Sequence, residues 1–148
     1  MSPAPGPRPL RLLAEDADDL AVIAAAVQDA VGKIGDIRFE ASSRRLTLGL
    51  NRLRWEADNK AAAERIRTGL QFAGVLAVRS KNLRRDARAA IVSLMDLSFE
   101  AGEAPGGCVV LTFSGGGELR VDVECIDVAM ADVSAPWPTP RRPSHDED

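Results

Sequence analysis

The run from Gly107 to Val133 constrains the fold more than any other part of the chain. Val109, Leu111 and Phe113 fall at every second position, and so do Leu119, Val121, Val123 and Cys125 beyond Gly115-Gly116-Gly117. A period of two places each set on one face of a strand. The glycines between them tolerate positive φ, so the chain can reverse there at little steric cost. Pairing Phe113 with Leu119 sets Leu111 against Val121 and Val109 against Val123. Thr112, Val110 and Cys108 then lie opposite Arg120, Asp122 and Glu124 on the outer face. A one-residue slip would turn one apolar set to solvent, which specifies the faces strongly. Such a hairpin is marginal alone in water, so the remaining chain must supply a surface for it to bury against.

From the N-terminus, residues 1–8 form a proline-rich leader that reads as disordered, and 9–134 as one folded domain. Pro9–Ala14 reads as a first strand. Asp16 stands at a helix N-cap with Asp18 and Asp19 in the first turn, followed by Leu20, Ile23, Ala24, Val27 and Val31 on one face. Gly32 is placed to end this helix. Ile34, Ile37 and Phe39 lead through a reversal at 41–44 into Leu46, Leu48 and Leu50. The apolar phase then changes at Leu53 and Trp55, which predicts a bulge near Asn51-Arg52. Glu56 to Glu64 reads as a loop or short helical turn. Leu70, Phe72, Leu76 and Val78 predict one central strand, covered on both sides. Ile91, Ser93, Met95, Leu97 and Phe99 predict another, and Met130 to Val133 a closing turn of helix. Residues 135–148 read as an exposed, proline-rich acidic tail. The fold class is α+β: an N-terminal helix with a largely antiparallel meander of about seven strands, rolled toward a half-open barrel.

Composition narrows the function. The chain has no apolar run near the ~20 residues of a membrane-spanning helix, and its start lacks a signal-peptide core. A cytoplasmic location follows as the expectation, with two free thiols on opposite faces of the hairpin. The only histidine, His145, lies in the tail, which argues against a Ser-His or Cys-His nucleophile and against zinc. No cofactor or metal is expected. The glycine triplet joins strand to strand and lacks phosphate-loop spacing. Asp122, Glu124 and Arg120 read either as alternating charges on a solvated strand face or as an acid–base pair.

Charge is the one unevenly distributed property. Of the 19 Lys and Arg, 13 lie between residues 38 and 88, against five acids there, although the whole chain carries −3. Arg38, Arg44, Arg45, Arg52 and Arg54 flank one hairpin, and Arg79, Lys81, Arg84, Arg85 and Arg88 fill one loop region. Gathered on one face, these ten would form a binding surface for phosphates or for a protein partner. The chain has no tyrosine, and its four phenylalanines sit at inward positions, which argues against stacking on single-stranded RNA. Trp137 either folds back on the sheet or serves as a docking element.

Several stretches carry a family pattern: Asp19-Leu20, Gln28 to Ile37, Leu50 to Glu56, Val75 to Ser80, Phe113 to Gly117 and Val123 to Ile126. Together they resemble the small alphaproteobacterial proteins grouped as domain of unknown function 2948, over roughly residues 10–137. The resemblance implies a bacterial cytoplasmic protein and offers no catalytic residues to carry over. It draws attention to Gln28, Asp29, Asn51, Arg52, Trp55 and Glu56. These polar or large residues either satisfy the helix end and the expected bulge or line a shared surface. The expected function is a non-enzymatic protein-interaction or scaffold domain, with nucleic-acid or polyanion binding through 38–88 as the alternative. An enzyme built from Asp, Glu, Arg and Asn alone has no constellation to support it.

Overall fold

The computed structural model describes residues 9–54 and 63–139. The leader, residues 56–62 of the expected loop and the tail from 140 lie outside those residues; Ala63 and Glu64, expected in that loop, belong to a strand. Eleven strands and one helix follow in chain order: β1 (Arg11–Ala14), α1 (Ala17–Val27), β2 (Val31–Lys33), β3 (Ile37–Glu40), β4 (Arg45–Leu53), β5 (Ala63–Phe72), β6 (Val75–Lys81), β7 (Ile91–Ala101), β8 (Gly107–Phe113), β9 (Glu118–Val123), β10 (Val128–Asp132) and β11 (Trp137–Thr139). The main sheet runs β1-β10-β5-β4-β2-β7-β8-β9-β6, with β3 also on β4 and β11 also on β5. Every pairing is antiparallel. The α+β class holds. The sheet is open, and it contains eleven strands where the alternation suggested about seven, because short strands such as β2, β10 and β11 carry too few residues to show a period.

The helix begins as its sequence dictates. The Asp16 carboxylate accepts a 2.7 Å hydrogen bond from the Asp19 N–H, and Leu20, Ile23 and Val27 are buried. It ends at Val27 and not at Gly32. Asp29 takes the left-handed conformation (φ 64°), and its N–H bonds the Leu94 carbonyl at 2.8 Å, turning the chain straight into the sheet. Gly32 belongs to β2, where a Cβ would stand 2.7 Å from the Gly49 carbonyl oxygen, so its absence lets two backbones approach. The residues that face inward from β4, β5, β8, β9 and β10 form one continuous core with α1.

The hairpin of β8 and β9 keeps the expected faces with shifted partners. Leu111 pairs with Leu119, Val109 with Val121, and Val110 with Arg120. The Phe113 N–H reaches the Gly117 carbonyl at 2.8 Å, so the turn contains three residues, with φ of 82° at Gly115 and 89° at Gly116. A shift of two positions preserves which side chains point inward, and burial therefore does not distinguish it from the expected register.

Three other expectations are corrected. β4 and β5 pair without interruption from Leu46–Phe72 to Leu53–Arg65, so no bulge exists at Asn51-Arg52. Register shifts lie instead in β6, between Val75 and Ala77, and in β7, between Leu94 and Asp96, where the shift moves the inward set from Leu94 to Leu97. The single central strand across 70–78 is two strands, divided where Gly74 takes φ 63°; β5 is interior, while β6 is the last strand of the sheet with Leu76 exposed. Residues 130–132 belong to β10 and are not helical. Of the two readings of Trp137, the return to the sheet is the one the structure shows: it pairs with Arg65 across β11 and β5.

Arg52 explains the missing bulge. It keeps the inward phase of Leu46, Leu48 and Leu50, and its side chain is wholly buried. Its Nε donates to Asp132 Oδ1 at 2.8 Å and its Nη2 to Oδ2 at 2.7 Å, while Nη1 donates to the Leu53 carbonyl at 3.0 Å. The Thr68 hydroxyl donates to Oδ1 at 2.7 Å, and the Leu10 N–H to Oδ2 at 2.8 Å. Side chains on β4, β5 and β10, with the backbone leading into β1, thus meet at one carboxylate. Among the described residues no buried side-chain nitrogen or oxygen lacks a hydrogen-bond partner.

Burial pushes the Asp132 carboxyl up, but the bonds from Arg52, Leu10 and Thr68 outweigh it and hold the group below the usual carboxylate range. A lowered folded-state value contributes stability that is present above the unfolded value of about 3.9 and lost as pH falls through the folded one. In urea unfolding, the stability gap between the natural chain and Asp132→Asn should be widest near neutrality and shrink below about pH 4. A gap of constant size across that range would contradict the assignment.

Candidate functional site

The ten basic residues singled out by sequence do not form one surface. Arg52 is in the core. Arg44 pairs with Glu124 at 2.6 Å, Arg54 with Glu64 at 2.6 Å, Arg79 with Asp122 at 2.9 Å and Arg84 with Asp86 at 3.7 Å. Arg38, Arg45, Lys81, Arg85 and Arg88 are exposed, and among the described residues none of the five has a carboxylate partner. Their elements are β3, the start of β4, the end of β6 and the loop that follows it.

Those elements border a seam. The turn at Ile34–Asp36 separates β2, which pairs with both β4 and β7, from β3, which pairs with β4 alone. Past that turn the outer edge of β3 carries no strand, and β6 at the end of the sheet pairs only with β9. The gap between β3 and β6 is fastened at both ends. The Val75 N–H bonds the Arg44 carbonyl at 2.9 Å at one end; at the other the Gly35 N–H bonds the Arg88 carbonyl at 2.8 Å and the Ile34 N–H the Ala90 carbonyl at 3.0 Å. Between these ties lies a cleft of about 130 Å³ lined by Ile34, Ile37, Phe39, Leu46, Val78, Leu83 and Leu119, together with Arg85 and Arg88. Phe39, expected at an inward core position, is instead 38% exposed here.

Of the motif residues, Asp29 and Asn51 come together at a second place, where Arg65 Nη1 reaches both backbone carbonyls. Gln28 is the C-cap of α1 and Asp29 its left-handed exit, which fits a structural role for both. Asn51 accepts from Arg65 Nη1 on its backbone carbonyl at 3.0 Å and from Arg67 Nη1 on its side-chain oxygen at 3.3 Å. Arg67 continues to Asp36 at 3.0 Å and lies across Gly49, where a Cβ would collide with its guanidinium. Burial lowers the pKa of Arg65 against the opposing field of Asp29. Val31, Gly32, Lys33, Asp36, Asn51, Arg67 and Ile91 surround a shallow hollow of about 370 Å³. Trp55 and Glu56 lie outside the described residues.

Sequence reasoning did not single out Arg65, Arg67, Thr68 or Asp132. For the first three a signal was present: Ile66, Thr68, Leu70 and Phe72 continue one even-numbered phase, which extends β5 back to Ala63. For Asp132 no local signal exists, because its partner is 80 positions away.

Asp122 and Glu124 serve in the ion pairs with Arg79 and Arg44, and Arg120 bonds both Glu100 and Glu118. Each of the two carboxylates is thus engaged by an arginine, as on a strand face of alternating charges. Among the described residues no cluster of three or more His, Cys, Asp or Glu is placed to hold a metal ion.

The arrangement defines a small α+β domain: an open antiparallel sheet of eleven strands around one core among the described residues, with a cationic cleft at its seam. A family model described as "Protein of unknown function (DUF2948)" matches residues 10–145, and the chain belongs to that family. No curated protein and no solved structure matches it. No helix is long and apolar enough to cross a membrane among the described residues.

Both cysteines are free; Cys108 keeps the outer-phase position of β8 yet is buried, and Cys125, expected on the inner face, is exposed beyond the end of β9. Burial pushes the Cys108 thiol up, with Arg120 opposing. A disulfide-exchange reagent at pH 8 should titrate one thiol of the native chain rapidly and the second only on unfolding. Two equally fast thiols would contradict the buried position of Cys108.

Proposed function

We propose that the chain is a non-catalytic interaction domain that engages an acidic protein partner along the seam between β3 and β6. The observation that carries this reading is the distribution of unmatched charge. The five candidate cations without a carboxylate partner among the described residues all belong to elements bordering the seam. Arginines already held in ion pairs have little to gain from a further anion, whereas unpaired ones on a rim favour association with an acidic surface.

Polyanion binding through residues 38–88 is the second reading. Five of the ten basic groups are matched by Glu64, Asp86, Asp122, Glu124 or Asp132, which halves the charge available for a phosphate backbone.

The test compares the immobilised full chain with an Arg85→Glu/Arg88→Glu variant, both residues being exposed. After incubation with nuclease-treated native cytosol, the natural chain should hold specific proteins that the variant captures at least ~10-fold less, as expected when like charges face an acidic partner. Capture that disappears with nuclease, together with salt-sensitive retention on heparin, would replace this reading with the polyanion one. Equal capture by both chains would remove the seam from the interaction.

A further inference from the structure

We infer that the seam cleft is a binding site for a free small-molecule carboxylate bearing an apolar body about the size of one ring. The inference rests on the reading of the seam as the recognition surface and names a ligand that this reading does not require.

Size, lining and charge each restrict the ligand. A cavity of about 150 Å³ accommodates benzene; the cleft of about 130 Å³, partly open to solvent and with polar as well as apolar lining, has room for a phenyl ring or a branched chain of similar bulk and little more. Its side-chain lining from β3, β4, β6 and β9 is aliphatic or aromatic: Ile37, Phe39, Leu46, Val78 and Leu119. Ile34 and Leu83 complete it, and none of these groups can hydrogen-bond a polar atom placed among them. Arg85 and Arg88 are the polar side chains of the lining. Both are exposed and neither is matched by a carboxylate among the described residues; Asp86, between them in sequence, pairs with Arg84. A guanidinium beside an apolar pocket recognises a planar anion by charge-assisted hydrogen bonds, and carboxylate geometry suits its fork. An apolar body with an anionic head satisfies both parts of the lining; a neutral or cationic ligand satisfies one.

The backbone ties at the two ends of the seam favour a small ligand over an added strand. An extended peptide entering between β3 and β6 would have to break the Val75–Arg44 bond or the Gly35–Arg88 bond, whereas a ring-sized group enters between them.

The test titrates the isotopically labelled full chain with phenylacetate, hexanoate and the neutral analogue phenylacetamide, following backbone and methyl resonances. The carboxylates should saturably shift resonances of Phe39, Val78, Leu83 and Leu119. Phenylacetamide should bind at least ~10-fold more weakly, and Arg85→Gln/Arg88→Gln should weaken the carboxylates by a similar factor, as loss of a charge-assisted pair implies. Val78→Trp, which fills the cleft, should abolish the shifts; an unchanged remainder of the spectrum shows that the variant folds. The inference is overturned by the absence of saturable shifts at millimolar ligand, by shifts centred elsewhere, or by equal affinity for acid and amide. Protein capture that depends on Arg85 and Arg88 without carboxylate binding would overturn this inference alone. Carboxylate binding with capture indifferent to those arginines would overturn only the protein-partner reading.

Discussion

One buried ion pair ties together four strands of the sheet. Arg52 and Asp132 meet through two parallel hydrogen bonds with side chains 0% and 1% exposed. Their carboxylate also receives Thr68 and the backbone of Leu10. Four neighbouring strands of the order β1-β10-β5-β4 are thereby pinned to one group. Taking two charges out of water costs several kcal/mol per ion. The fork geometry and the additional donors offset that cost only while all members are in place, so the pair acts as a specificity device more than as a source of net stability. It also fixes where β10 sits, and β10 in turn holds β1.

The same constraint explains what the seam is. With β4 fully paired along β5, its other edge is divided between β2 and β3 by the turn at Ile34–Asp36. β2 continues the sheet into β7, while β3 faces β6 across an unpaired gap. Open strand edges invite pairing with other chains. Here the edges are short and carry Arg38, Glu40, Arg79 and Lys81, and the ties through Val75, Gly35 and Ile34 hold the lips in place. These features discourage edge-to-edge association and leave a local, charged opening. The basic segment thus divides into an arginine that completes the fold, arginines paired with acids, and a remainder on the elements bordering the seam, of which Arg85 and Arg88 line the cleft.

Much of this was legible in the residues, and the failures have physical causes. The alternation in β4, β8 and β9 and the Asp16 cap are local signals, and the structure follows them. The hairpin register was ambiguous by two because a shift of two changes partners without changing faces. The phase change at Leu53 looked like a bulge because an arginine at an inward position reads as polar. Burial of that arginine depends on a carboxylate far along the chain, which periodicity cannot report. For the same reason ten basic residues looked like one surface: clustering in sequence says nothing about which of them find acids. The cleft was invisible in the sequence, since it arises where two strands distant in the chain fail to pair.

The account depends most on Arg52 being a member of the core and not of a binding surface. A double-mutant cycle of Arg52→Met and Asp132→Asn, read by urea unfolding at pH 7, addresses this directly. Arg52→Met alone should cost about 3–5 kcal/mol, since it leaves a carboxylate buried without its counter-charge. Adding Asp132→Asn should restore at least half of that loss, because no charge is left to bury: the carboxamide oxygen can accept from the Leu10 N–H while its NH2 donates to the Thr68 hydroxyl oxygen. Single effects that simply add, or an Arg52→Met change below about 1 kcal/mol as at an exposed ion pair, would contradict the account.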